Sequence, residues 1–285
     1  MEIIDAQFHL NRFGTVALAL AAMDAAGISA VLIDEEAPEL SAGWRYLPGI
    51  ELVGGAIRSV YPMSEQAVAV HPHLFAYLGR VDRLDPEWER IMGEMRRVPN
   101  RLCIRVQPRA DNGEADAFES GAYEPFFAAA QRHGVPAFVL LQGRTHQLAR
   151  YAEKFPDQTF IIDHCGVAAP GPEVSGEARF GGLYQATKLA KYPNVALKWC
   201  HGPRFSEQRY PWHDLMAHFV RVVEAFGPER VVWAADHSQS RGQYSWAEAA
   251  FFIRDAIELS ASDKQWILSG ALRKLLRWPK TDASS

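Results

Sequence analysis

Short apolar runs alternate with amphipathic stretches along the chain, and most of the runs end in a polar residue. The runs fall at residues 2–10, 29–34, 74–81, 101–107, 136–142, 159–164, 194–198 and 230–236. Near-continuous Val, Ile, Leu, Ala and Phe over such lengths suits strands covered on both faces, as in a parallel sheet. Helical patterns separate them. Thr15 can cap a helix ending near Ala26, with Val16, Leu20, Met23 and Ala26 along one stripe and Gly27 as its stop. Further helices are expected over 62–71, 85–97, 123–132, 145–155, 183–191, 213–226 and 245–259, with an extra one over 263–278. Strand and helix alternating eight times predict an α/β fold, a single (β/α)8 TIM barrel with a C-terminal extra helix and one domain over residues 1–285.

The polar strand ends carry the candidate chemistry. On an unbroken strand Asp5, Gln7 and His9 share one face. The sixth run ends at His164, the seventh at Lys198 and the eighth at Asp236. Ligands of parallel α/β folds sit at the carboxyl ends of the strands, which is where these residues fall. Arg80, Arg105 and Arg144 stand at or just past the ends of strands three, four and five. Residues 35–61, with Trp44, Arg45 and Arg58, are expected to overhang the barrel mouth as a lid. The 202–212 loop should do so with Arg204 and Arg209, and residues 111–121 read as a polar loop. Trp44, Trp199, Tyr210 and Trp212 are candidate pocket walls.

Composition removes several classes of function. A net charge of -4 and a pI near 6.2 give no footprint for nucleic acid or an anionic membrane. No apolar run is long enough to span a bilayer, and the N-terminus lacks the layout of a signal peptide, so a cytoplasmic protein is expected. Cys103, Cys165 and Cys200 are odd in number, which excludes a complete disulfide framework and leaves buried inert thiols. Cys165 beside His164 is not a nucleophile–base pair, because strand neighbours point to opposite faces.

The succession of strand ends resembles the amidohydrolase superfamily, in particular the amidohydrolase-related branch that includes dicarboxylate and sugar lactonases. Asp5-Ala6-Gln7-Phe8-His9 stands where that family has Asp-x-His-x-His, His164-Cys165-Gly166 where it ends strand six, and Ala234-Ala235-Asp236-His237-Ser238 where it ends strand eight. Gln7 therefore replaces the first histidine, and the strand-eight ending departs from Gly-Ser-Asp-aromatic-Pro.

The resemblance implies a metal or water site built from His9, His164 and Asp236. Those three could ligate zinc, a site that needs three protein ligands and an open position. Gln7 offers only an amide oxygen, so a divalent metal is expected to be weakly held or absent. In either case Asp236 would act as the catalytic base, with His9 and His164 assisting at the carbonyl oxygen. Arg80, Arg105, Arg144, Lys198 and Gln7 would bind a small anionic substrate, since arginine forks match carboxylates. The function expected is hydrolysis of a small carboxylated lactone or related cyclic ester. A decarboxylase or hydro-lyase on the same barrel, and a non-catalytic anion-binding barrel, are the alternatives. A homo-oligomer is compatible with the sequence.

Overall fold

The computed structural model describes residues 1–36, 49–110, 113–168, 170–171 and 173–279. Ten strands run through them: β1 (Ile4–Phe8), β2 (Ala30–Ile33), β3 (Gly49–Glu51), β4 (Ile57–Ser59), β5 (Phe75–Gly79), β6 (Arg101–Val106), β7 (Ala137–Val139), β8 (Phe160–Ile162), β9 (Val195–Cys200) and β10 (Val231–Ala234). Eight of these pair in parallel in the order β1-β2-β5-β6-β7-β8-β9-β10. β10 lies against β1 and brings the sheet round into a barrel. Across that seam the Ala235 N–H donates to Asp5 Oδ1 at 3.1 Å. This is the (β/α)8 barrel that the alternating pattern predicts.

Two apolar layers hold it. Ile4, Ala6, Leu32, Leu78, Phe138, Ile161 and Val232 fill the barrel interior. Phe8, Ile33, Tyr77, Ile104, Leu197 and Trp233 face outward to the helices. Leu272, Leu276 and Trp278 of the C-terminal segment join the interior layer, and Arg273 pairs with Glu2 at 2.6 Å. The extra helix therefore plugs the amino-terminal end, leaving the carboxyl ends open for a ligand. Helix ends follow their capping residues. Thr15 accepts from the Leu18 N–H, and Ser245 with Glu248 forms a capping box at Trp246–Arg254.

The structure corrects four local expectations. Asp5, Gln7 and His9 do not share a face. Between Asp5 and Phe8, β1 carries one residue more than β2, because Asp5 pairs with Val31 and Phe8 with Ile33. Such a bulge re-aims side chains. Asp5 turns outward to Trp246 Nε1 (2.7 Å), whereas Gln7 reaches inward. Residues 114–120, expected within a loop, form the helix Glu114–Ser120, with Glu114 and Asp116 in its first turn and left-handed Gly121 at its end. The sixth barrel strand stops at Ile162, and Asp163–Gly166 is a tight turn. The expected lid contains an antiparallel β3–β4 hairpin; Trp44 and Arg45 lie outside the described residues.

Candidate functional site

A cavity of about 400 Å³ opens at the carboxyl ends of the barrel strands. His9, Arg80, Arg105, His164, His201 and Asp236 line it. Arg12, Glu36, Arg83, Glu114 and Arg204 line it too, as do Gly55 and Ile57 of the hairpin region.

One side of the site, contributed by β1, β2, β5 and β6, is a locked ion network. Asp34, at the end of β2, is fully buried. Its carboxylate accepts from Arg80 Nε at 2.9 Å and Nη2 at 2.6 Å, from Gln7 Nε2 at 2.9 Å, and from Arg105. Burial, the largest influence, would raise the Asp34 pKa, but Arg80 and Arg105 outweigh it and hold the carboxyl far below its usual range. Arg105 also donates to Asp163 at 2.5 Å. Lys198, fully buried, sits 2.5 Å from Asp163 and donates to Gln7 Oε1 at 2.6 Å. Three cations thus share two carboxylates. The Gln7 amide is fixed in orientation, its oxygen by Lys198 and its nitrogen by Asp34.

The other side comes from β8, β9 and β10. His164, His201 and Asp236 each sit just past a strand end in the left-handed region, with φ of 47°, 59° and 48°. Asp236 is buried between two imidazoles, 3.0 Å from His201 Nε2 and 3.5 Å from His9 Nε2. Burial alone would raise its pKa, but His9 and His201 reverse the effect and keep it ionised. His164 stacks on His201 with ring centroids 4.9 Å apart. Burial holds the His164 pKa well below its usual value, so its ring is neutral. His9 donates through Nδ1 to the Asp34 carbonyl at 2.8 Å, which leaves the Nε2 lone pair to accept from Gln7 Nε2 at 3.1 Å.

His9, His164, Asp236, Arg80 and Arg105 therefore meet in one cavity. Gln7 and Lys198 lie beneath it as supports for the cavity residues. Arg144 donates to the Pro108 carbonyl at 2.5 Å and is not part of the cavity lining; neither is Arg58, which pairs with Asp85 at 2.7 Å. Trp199 packs on Phe219. Tyr210 and Trp212 line a second cavity together with Arg204, Arg209 and Tyr244. Asp34 and His201, with Arg12, Glu36, Arg83 and Glu114 of the lining, were not singled out from the sequence. Asp34 closes an apolar run as Asp236 does, and that signal could have found it.

Among the described residues, two groups of side chains have donor atoms close enough to hold a metal ion: His164, Cys200, His201 and Asp236, and His9, Asp34 and Glu36. The hydrogen bonding does not suit an ion at either. The His9 Nε2 lone pair takes the Gln7 N–H, and Arg105 Nη2 stands 2.7 Å from His164 Nε2. A guanidinium always donates, so that nitrogen too is engaged. His201 Nε2, facing an ionised carboxylate at 3.0 Å, must carry its hydrogen. Burial pushes the Cys200 thiol well above its usual pKa.

A parallel barrel with histidine, aspartate and arginine gathered at its carboxyl ends defines a class of barrel proteins whose chemistry is done at the mouth. The family model described as Amidohydrolase matches residues 66–278, and the chain belongs to that family, in its amidohydrolase-related branch. Solved structures agree on the fold. An amidohydrolase from Burkholderia multivorans with bound zinc is 16% identical with a TM-score of 0.72, over 98% of this chain and 100% of that one. A putative 2-pyrone-4,6-dicarboxylic acid hydrolase from Pseudomonas putida is 17% identical with a TM-score of 0.66, over 97% and 98%. The 5-carboxyvanillate decarboxylase from Sphingomonas paucimobilis is 15% identical with a TM-score of 0.65, over 97% and 99%. No curated protein sequence is a significant match. Among the described residues no helix is long and apolar enough to cross a membrane.

Proposed function

We propose that the protein is a hydrolase that opens a small carboxylated lactone or related cyclic ester by attack of water on the carbonyl. The observation that carries this reading is Asp236, a buried carboxylate kept ionised at the cavity wall. Its Oδ2 faces His201 at 3.0 Å, and Oδ1, whose contacts with Ser238 Oγ (3.4 Å) and His9 Nε2 (3.5 Å) are long, is the oxygen placed to take a proton from water. Loss of that proton generates the nucleophile where it is needed.

His164, on the same side of the mouth, would stabilise the charge that develops on the carbonyl oxygen. His164 is neutral and its Nε2 accepts from Arg105, so its hydrogen is on Nδ1. That nitrogen is buried and has no acceptor among the described residues. An N–H without a protein partner suits an oxyanion. Arg204 suits a substrate carboxylate: it touches the Gln243 side chain at 2.9 Å and the Gln239 carbonyl at 3.4 Å, and no carboxylate pairs with it among the described residues. Metal takes no part in this reading, because the lone pairs it would need are engaged.

The test is turnover of a panel of carboxylated five- and six-membered lactones, with and without a chelator. Ring opening that survives chelation is the expected result. Activity that vanishes with chelator and returns with zinc would overturn the metal-independent part. Release of carbon dioxide from aromatic carboxylates, with every lactone inert, would establish decarboxylation instead.

A further inference from the structure

Behind His201, away from the carboxylate, lie two hydroxyls that the proposed reaction does not use. Ser240 Oγ is 3.1 Å from His201 Nδ1, and Tyr244 Oη is 2.8 Å from Ser240 Oγ. Both residues are buried, Ser240 fully. Two hydrogen-bond directions fit these distances. In one, Tyr244 donates to Ser240, Ser240 donates to Nδ1, and the ring donates from Nε2 to Asp236. In the other, Nδ1 donates to Ser240, Ser240 donates to the Asp236 carbonyl at 3.0 Å, and Tyr244 donates to the Ala235 carbonyl at 3.1 Å.

Asp236 decides between them. In a neutral ring with its hydrogen on Nδ1, the Nε2 lone pair would face an acceptor-only carboxylate at 3.0 Å. Like-signed lone pairs at hydrogen-bond distance repel, and no other donor fills that gap among the described residues. For a neutral ring, only the first direction gives both ring nitrogens a hydrogen-bond partner.

We infer that Ser240 and Tyr244 are positioning residues that hold the His201 ring with its hydrogen on Nε2 and a bare Nδ1 that accepts from Ser240. The ring then caps Asp236 Oδ2 and leaves Oδ1 as the base. The left-handed backbone at His201 and Asp236 (φ of 59° and 48°) sets two adjacent members of this row, and the His237–Ser240 turn that follows Asp236 carries Ser240. The inference rests on the proposed function for its kinetic consequence, but its structural content does not depend on the reaction.

The experiment therefore has two readouts. The first is the ¹⁵N spectrum of the histidine-labelled protein at pH 9, where an ordinary imidazole is neutral. The His201 resonance is assigned by its loss in His201→Gln. The native ring should show a protonated Nε2 and a bare Nδ1. A protonated Nδ1, whether Nε2 is bare or also protonated, overturns the inference whether or not any substrate is known. The second readout is kinetic, on whichever lactone the protein opens. Ser240→Ala and Tyr244→Phe should lower kcat, the former by roughly ten- to a hundredfold, with KM within about twofold, as expected for loss of one buried hydrogen-bond partner. Ser240→Thr, which keeps the hydroxyl, should recover most of the loss. If both variants keep native kcat and the native ¹⁵N pattern, the row positions nothing. If no lactone is opened but the ¹⁵N pattern is as expected and collapses in Tyr244→Phe, the proposed reaction fails and this assignment stands.

Discussion

The two halves of the barrel mouth reach their geometry by different means. From β1 to β6, side chains hold one another: Asp34 joins Arg80, Arg105 and Gln7 in a buried net with no freedom to turn. From β8 to β10, the backbone does the aiming. His164, His201 and Asp236 each take a left-handed conformation directly after a strand. Non-glycine residues there cost on the order of 1–3 kcal/mol each and persist only where the surroundings enforce them. The first half is thus a charged buttress, and its loss should show in stability. The second half is a set of aimed groups, and its loss should show in turnover.

The sharpest way to break this contrast is Asp236→Asn. Asparagine keeps the shape but cannot take a proton. We expect kcat to fall by on the order of 10²–10⁴ with an unchanged melting curve. Activity within about threefold of native would place the base elsewhere.

Asp34→Asn is the counterpart in the buttress. It leaves Arg80 and Arg105 buried without their shared carboxylate, and removing one partner of a buried pair costs about 3–5 kcal/mol. Denaturant unfolding should show that loss. A stable variant defective only in kcat would erase the division between the halves.

Arg204→Met probes a cation that the buttress does not use. It should raise KM for a carboxylated substrate roughly tenfold or more and leave kcat and folding alone. An unchanged KM would move the carboxylate subsite away from the β9 side of the mouth.

Gln7→His tests why metal and buttress conflict. It removes the N–H that fills the His9 lone pair and supplies an imidazole, a far better zinc ligand than an amide. Zinc retained after dialysis should rise above that of the native chain, as read by elemental analysis. A native protein that keeps a full equivalent through chelator would show that the hydrogen bonds at His9 and His164 yield to the ion.

The smallest effect expected is at the seam. Burial, the largest influence, pushes the Asp5 carboxyl up to about 7 despite N–H bonds from Gln7, Trp246 and Ala235. Folding therefore favours the protonated form. Its contribution is full below about pH 4 and is lost as pH rises through about 7. The stability difference between native protein and Asp5→Asn should shrink over that range. A pH-independent difference would mean that Asp5 does not titrate there.

Much of this was legible in the chain. Continuous apolar runs separated by helical stretches dictate a parallel barrel, because strands covered on both faces have no polar side to show. A run that ends in Asp236 or His164 announces a group at the open end of that barrel. The amidohydrolase resemblance rested on those same residues. The β1 bulge was not legible, because period-two alternation fails by one residue only where the register with β2 slips. Nor was the pairing of Asp34 with Arg80 and Arg105, which lie 46 and 71 residues away.

The split follows from range. Period and capping act within one or two turns of chain, so the sequence by itself determined the elements, their order and which strands end in chemistry. Which cation is free and which is locked depends on carboxylates brought in from other strands. Arg105 and Lys198 look like substrate ligands in the sequence and become structural partners of Asp34, Asp163 and Gln7 in the barrel. Only closure of the sheet sets those groups within hydrogen-bond reach. Closure therefore decided that Arg204 has no carboxylate partner among the described residues and that His201, rather than His164, stands against Asp236.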